Sequence, residues 1–315
     1  IMRFGLTVPV QLCLFLARPV LSFHSSFHLR RRRHNFPFIR RINSISSKLN
    51  MVPPDMLNKM SEAVSESLGR TVRLTQSTGG GYSGGGGAIT SAVIDQEGQT
   101  KYFVKSAYGE IDMLRAEYLG VKEMSSTRSI RVPTPVAFGE EGSKAFVVFE
   151  YLNFCGGGDE FQLGVQLAKM HRHFSENGKF GFHVDNTIGA TPQPNMPWCD
   201  NWADFWDTHR LGHMLKLTGD AGLTNDDVEA LRKKTRELLS EHNPSPSLIH
   251  GDLWGGNKGY AKEEDGSIVP VIFDPATYYG DREADVAMTY LFGGFGSDFY
   301  KGYESEWPLP KVSIF

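Results

Sequence analysis

Acidic residues are missing from the first 54 positions of this 315-residue chain, which nevertheless carry Arg3, Arg18, the run Arg30 to Arg33, Arg40, Arg41 and Lys48. Setting those nine aside leaves 24 of the 33 Lys and Arg against all 36 Asp and Glu. The body is therefore acidic. That argues against a nucleic-acid partner, because affinity there rests on neutralising phosphates. Cysteine is scarce as well: Cys13, Cys155 and Cys199 are too few and too scattered for a disulfide framework or a zinc site, and they point to a reducing compartment. Long apolar runs are also lacking. A spanning helix needs roughly 18 to 20 apolar residues, and the nearest approach, Phe4 to Ala17, is broken by Pro9 and ends at Arg18. No membrane span is expected. What remains, 40% hydrophobic and 22% charged residues, is the composition of a globular chain, long enough for one or two domains.

The short apolar stretch behind Arg3 has the character of a signal-peptide core. The Arg-, Ser- and His-rich segment that follows has that of an organelle transit peptide. Together they resemble the two-part presequences that lead into complex plastids, with Phe23 just after the first cleavage point. Translation from Met51 would instead give a cytosolic protein. Residues 1–50 are therefore read as a targeting presequence outside the fold.

From Asp55 to Leu68 the apolar spacing predicts a helix ending at Gly69. Ile89 to Ile94, Tyr102 to Ala107 and Ala145 to Leu152 read as strands, and Ile111 to Met124 as a helix between the second and third. Past Gly156-Gly157-Gly158 the pattern turns helical, with one stripe of Leu163, Leu167, Met170 and Phe174 and another of Val228, Leu231 and Leu238. Leu248-Ile249 and Ile268 to Phe273 are short apolar pieces flanking polar loops.

Those loops carry the chemistry. The string His250-Gly251-Asp252-Leu253-Trp254-Gly255-Gly256-Asn257 is followed by Phe273-Asp274-Pro275. A hydroxyl is a poor nucleophile until a carboxylate within hydrogen-bond reach accepts its proton; Asp252 is the candidate. Magnesium takes oxygen ligands shared between one or two carboxylates and phosphates, and Asn257 with Asp274 would supply them.

These residues resemble the catalytic loop and metal motif of the aminoglycoside phosphotransferase and kinase superfamily. Longer strings, Asp185 to Asn195, Tyr279 to Met288 and Phe292-Gly293-Gly294-Phe295 among them, resemble the fructosamine (ketosamine) 3-kinase branch specifically. The resemblance spans roughly 55 to 308. It implies an α+β, protein-kinase-like two-lobed fold, with an ATP-binding N-lobe over 51–152, built on a small β-sheet and one main helix, and a larger, mostly helical catalytic C-lobe over 153–315. Relatives usually continue with further helices, so the C-terminus reads as truncated.

It also implies ATP and Mg2+ as cofactors and a free or protein-bound ketosamine as substrate, phosphorylated on its 3-hydroxyl. In the first lobe Lys105 would meet the ATP phosphates and Glu117, favoured by the helix face over its neighbours Glu110 and Glu123, would hold it by an ion pair. The glycine run, Gly84, Gly85, Gly86 and Gly87 included, would cover the phosphates with backbone amides. Glu150 and Tyr151 would present backbone to adenine. Trp254 is read as packing on the sugar or as core. His171 and His173 lack a third metal ligand and suit helix-surface or loop contacts. His250 and Asp285 are read as supports of the loop. A kinase of aminoglycosides or choline, or an inactive nucleotide-binding scaffold, are the other readings.

Overall fold

The computed structural model describes residues 52–77, 82–83, 88–219 and 223–310. The presequence region and Gly84 to Gly87 lie outside the described residues. The chain divides into two compact units: one runs up to Tyr118 and resumes over Thr134–Leu152, the other joins Leu119–Pro133 to the chain from Asn153 onward.

In the first unit, α1 (Pro54–Leu68) starts on Pro53-Pro54 and stops at Gly69, whose φ of 64° is the left-handed conformation that closes many helices. Met56, Met60 and Val64 recur every four residues and form its buried face. They pack with Val93, Val104 and Val148 into one apolar cluster. Beyond it come β1 (Leu74–Gln76), β2 (Tyr82–Ser83), β3 (Ile89–Asp95), β4 (Lys101–Tyr108), the helix α2 (Ile111–Ser126), β5 (Pro135–Glu141) and β6 (Lys144–Glu150). The sheet is antiparallel in the order β1-β3-β4-β6-β5, with β2 on β3. Its register sets Lys105 opposite Thr90 on one side and Val147 on the other. Strand β5 is not foreseen in the sequence, because prolines and Gly139 interrupt its alternation. Gly139 is needed, for a Cβ there would overlap the Phe146 ring on β6.

The second unit holds β7 (Phe154–Cys155), α3 (Glu160–His171), a hairpin of β8 (Asn186–Ile188) and β9 (Thr191–Gln193), then α4 (Trp202–Phe205), the π-helical turn Trp206–Leu211, α5 (Gly212–Thr218) and α6 (Asn225–Leu239). After these follow β10 (Ser247–Ile249), β11 (Lys258–Lys262), β12 (Ile268–Ile272), β13 (Tyr278–Gly280), α7 (Arg282–Phe292) and α8 (Ser297–Glu306). Small antiparallel sheets, β12-β11-β7 and β10-β13, carry the polar loops. Helices α3 and α8 approach closely through Gly164 and Gly302, where any Cβ would meet the partner's backbone.

Two expected apolar positions fall elsewhere. Phe174 lies past the end of α3 and is exposed. On α6 the buried positions are Thr235 and Leu239, and Leu238 faces solvent. Thr235 tolerates burial because its hydroxyl donates to the Leu231 carbonyl one turn back, 2.9 Å away. Among the described residues, no helix is long and apolar enough to cross a membrane.

Candidate active site

Strand β10 leads into the loop His250 to Asn257, and β12 leads into Asp274, so two strand ends deliver the polar side chains. Asn257 is the hub. Its Nδ2 donates to the backbone oxygen of Asp252 at 2.8 Å, to Asp252 Oδ2 at 3.0 Å and to the backbone oxygen of Asp274 at 3.3 Å. With Nδ2 turned to these three oxygens, Oδ1 is the atom that Asn257 offers a cation. The three residues predicted from the loops are thus brought together. Asp274 is exposed and adopts φ 57°, a left-handed conformation that most non-glycine residues avoid and Asp tolerates better than they do.

The loop is braced from behind by Asp285, which is fully buried. Its Oδ2 accepts from the His250 amide at 2.6 Å and its Oδ1 from the Gly251 amide at 2.8 Å. His171 Nε2 lies 3.1 Å from the same carboxylate, and His171 Nδ1 lies 2.8 Å from the Tyr303 hydroxyl, which accepts in turn from Arg282. Burial pushes the Asp285 carboxyl up, but the His171 hydrogen bond and the loop amides outweigh it, leaving Asp285 below the ordinary range. His171 is therefore a core residue, not a helix-surface one. His173 meets Ser129 at 2.9 Å.

His250 is a tie, as its burial suggests. Its Nε2–H donates to the Phe273 carbonyl at 2.9 Å and its Nδ1 accepts from the Asp252 amide at 3.2 Å. Burial lowers the pKa of the imidazole, in keeping with this neutral, single-tautomer arrangement. Gly251, with φ 81°, has to be glycine because a Cβ would strike the Ala276 carbonyl.

Asp252 itself is half-buried. Burial of its carboxyl, then repulsion from Asp274 and Asp285, pushes it up to about 7, against the pull of the Asn257 hydrogen bond. A carboxylate poised near neutrality is suited to accept a proton from a hydroxyl. The same repulsion signals crowded negative charge that a cation would relieve, and the donors are hard oxygens, so the set fits magnesium. Trp254 stands in this loop with its side chain 43% exposed, over Gly256, where a Cβ would collide with the indole. It is a rim residue and not core. Behind it, Gly255 donates to the Gly293 carbonyl at 3.1 Å, and a Cβ on Gly294 would strike the Gly255 Cα. The Phe292 to Phe295 string thus backs the His250 to Asn257 loop.

In the first unit Lys105 and Glu117 form an ion pair at 2.7 Å, both side chains nearly buried. The Glu150 amide donates to the Thr134 carbonyl at 2.9 Å, and its carboxylate accepts from Thr134. Its N–H is thus committed inside the unit. Tyr151 is 39% exposed, with Lys101 Nζ 5.8 Å from its ring centre.

Residues that sequence reasoning did not single out complete the site. Asn186 Nδ2 donates to the Thr277 carbonyl at 2.8 Å, and Gln193 Nε2 to Asn186 Oδ1 at 2.7 Å and the Ala276 carbonyl at 3.3 Å. The only signal for them was their place in the Asp185 to Asn195 string.

The family model for fructosamine kinase matches residues 56–312. A protein of Synechocystis sp. named as a ketoamine kinase is 41% identical over 249 residues, covering 78% of this chain and 81% of its own. The chloroplastic protein-ribulosamine 3-kinase of Arabidopsis thaliana is 40% identical over 230 residues, 70% of this chain and 67% of its own. A crystal structure from Haemophilus somnus, of a protein assigned as a fructosamine-3-kinase, superposes with a TM-score of 0.67 at 27% identity over 80% of this chain and 83% of its own. One from Thermobifida fusca gives 0.65 at 28% identity, over 80% and 85%. The α+β, kinase-like fold expected from the sequence is the one found. Matched across nearly all of its described length, the chain belongs to the fructosamine kinase family.

Proposed function

We propose that this chain is an ATP-dependent ketosamine 3-kinase, with Asp252 as the catalytic base and Asn257 and Asp274 as the residues that hold magnesium. The observation that carries the reading is the convergence of Asn257 Nδ2 on Asp252 and Asp274 from two different strand ends. Asp252 orients the sugar 3-hydroxyl and takes its proton as the oxygen bonds to the terminal phosphorus of ATP and the bond from that phosphorus to the bridging β,γ oxygen breaks, releasing ADP. Asn257 Oδ1 and the Asp274 carboxylate would hold the cation. Magnesium bound there supplies charge neutralisation on the phosphates. Lys105, kept in place by Glu117, adds a positive charge for the same phosphates, and the backbone of Glu150, whose N–H is committed to Thr134, and of Tyr151 serves adenine. The exposed face of Trp254 gives the sugar an apolar platform. The substrate is a ribulosamine or fructosamine, free or on a lysine, as the relatives' names suggest. Residues 1–50 serve as a plastid address, a reading supported by the chloroplastic relatives and by the acid-free, Arg-rich composition.

ADP release measured with ribulosamine, fructosamine and an aminoglycoside side by side tests this reading. The ketosamines are expected to turn over and the aminoglycoside to remain near background. The reverse order would reject the substrate class. In the same assay, which contains magnesium, kcat/KM is expected to rise with pH along a limb lying below neutrality: burial and the neighbouring carboxylates push the Asp252 carboxyl up, and a bound cation favours its ionised form. Stability runs the other way. A carboxyl raised from its ordinary 3.8 to about 7 contributes stability at low pH that is lost as pH climbs through that window.

A further inference from the structure

We propose that Asn186 and Gln193 are positioning residues for magnesium: their side-chain amides lock the turn that carries Asp274. The inference rests on the metal-binding role of Asn257 and Asp274 and goes beyond it. Asp274 sits in a left-handed conformation, one that Asp adopts more readily than most non-glycine residues but that still has to be held by its surroundings. The surroundings grip the turn from two sides. On one side is the catalytic loop. His250 donates to the Phe273 carbonyl at 2.9 Å and accepts the Ala276 amide on its own carbonyl at 2.9 Å, and Asn257 reaches the Asp274 carbonyl.

On the other side is the β8–β9 hairpin. Asn186 and Gln193, 8% and 6% exposed, place their amide donors on the Thr277 and Ala276 carbonyls. Residue Ala276 is thus held at both ends, its N–H by the His250 carbonyl and its oxygen by Gln193. Gly251 leaves room for that oxygen against the loop, so a shift of the Ala276 peptide would be felt at Asp274 and at the residue preceding Asp252.

The hairpin is stiff enough to act as an anchor. Asp185 Oδ1 accepts from the Asn195 and Met196 amides at 2.7 and 3.1 Å. Arg210 donates to the Pro194 carbonyl and to Asn195 Oδ1, with its guanidinium 4.0 Å from the Tyr278 ring centre. Arg210 thereby ties the base of the hairpin, beside Gln193, to β13, the strand into which the Asp274 turn runs. Partners that orient metal ligands from outside are commonly worth about 10–100-fold in metal affinity.

The test uses the full chain with Asn186→Asp and Gln193→Glu, near-isosteric changes that replace an amide donor by a carboxylate facing a carbonyl. Ile188→Ala, on the same hairpin but exposed and outside these bonds, is the control. Manganese is titrated in the presence of ADP and followed by electron paramagnetic resonance, with no sugar present. Backbone amide exchange of the peptide covering 273–277 is followed alongside. The expected result is manganese binding weakened by about tenfold or more and faster exchange in both variants, with Ile188→Ala like the parent. A lowered Tm with unchanged manganese affinity and unchanged exchange would make the hairpin merely structural and overturn the proposal. Should either carboxylate variant fail to fold, Gln193→Met removes the Ala276 bond without adding charge and is read by the same criteria. A parent that binds no manganese strikes the metal-site reading itself, whereas a parent that binds and variants that bind equally strike only this one.

Discussion

Asp252→Asn is expected to lower kcat for ketosamine phosphorylation by about 10²–10⁴-fold, the usual worth of a positioned general base, with Mg-ATP affinity within a few-fold of the parent. The substitution is nearly isosteric and keeps an oxygen within reach of Asn257 Nδ2, which now lies 3.0 Å from Asp252 Oδ2. What disappears is the group that ionises near neutrality. Single-turnover kinetics with a ribulosamine, together with equilibrium binding of a fluorescent ATP analogue, separates the two effects. Near-normal turnover would remove Asp252 from the mechanism. A parallel collapse of nucleotide binding would mean that its role is structural.

The second large effect is expected at a residue that would never touch substrate. Asp285→Ala strips the acceptor from the His250 and Gly251 amides and from His171, around a carboxylate that is itself fully buried. Leaving the partners of a buried charge unsatisfied costs about 3–5 kcal/mol, which in a protein of this size lowers Tm on the order of 10 °C. Activity of the folded fraction should fall as well, since both amides belong to the residues just before Asp252. Asp285→Asn keeps one acceptor oxygen and should fall between parent and alanine variant in a thermal melt. An alanine variant melting within about 2 °C of the parent would show that the loop does not depend on this brace.

The loop chemistry was legible because it is local. Asp252 and Asn257 are five residues apart in one glycine-bearing turn, and Asp274 ends the next apolar strand, so residue type and spacing alone suggested oxygen ligands beside a base. The Lys105–Glu117 pair was legible through the family resemblance, with position on the helix face favouring Glu117 over its neighbours Glu110 and Glu123, and Glu117 is the acid that pairs with the lysine. The braces were less so. Asp285 was read as a support of the loop, yet its bond to His171 spans 114 positions and the next, to Tyr303, spans 132; nothing in the local pattern of either helix pairs them.

Asn186 and Gln193 were hidden for another reason. Buried amides carry no charge and no periodicity, and their worth lies in which carbonyl they meet. Strand β5 escaped because Pro135 and Gly139 erase the alternation by which strands are recognised, while the requirement for Gly139 comes from the Phe146 ring on the next strand. Leu238 misled in the opposite sense, as an apolar residue at helical spacing that the fold leaves outside.

The most direct measurement of the central claim is anomalous diffraction at the manganese edge from crystals of the full chain grown with manganese and ADP. The account predicts a peak within coordination distance of Asn257 Oδ1 and the Asp274 carboxylate. Among the described residues one other group could hold a metal, His242 with Asp281 and Glu283, whose ligand atoms lie within 4.8 Å of one another. A peak there, with none beside Asn257 and Asp274, would contradict it.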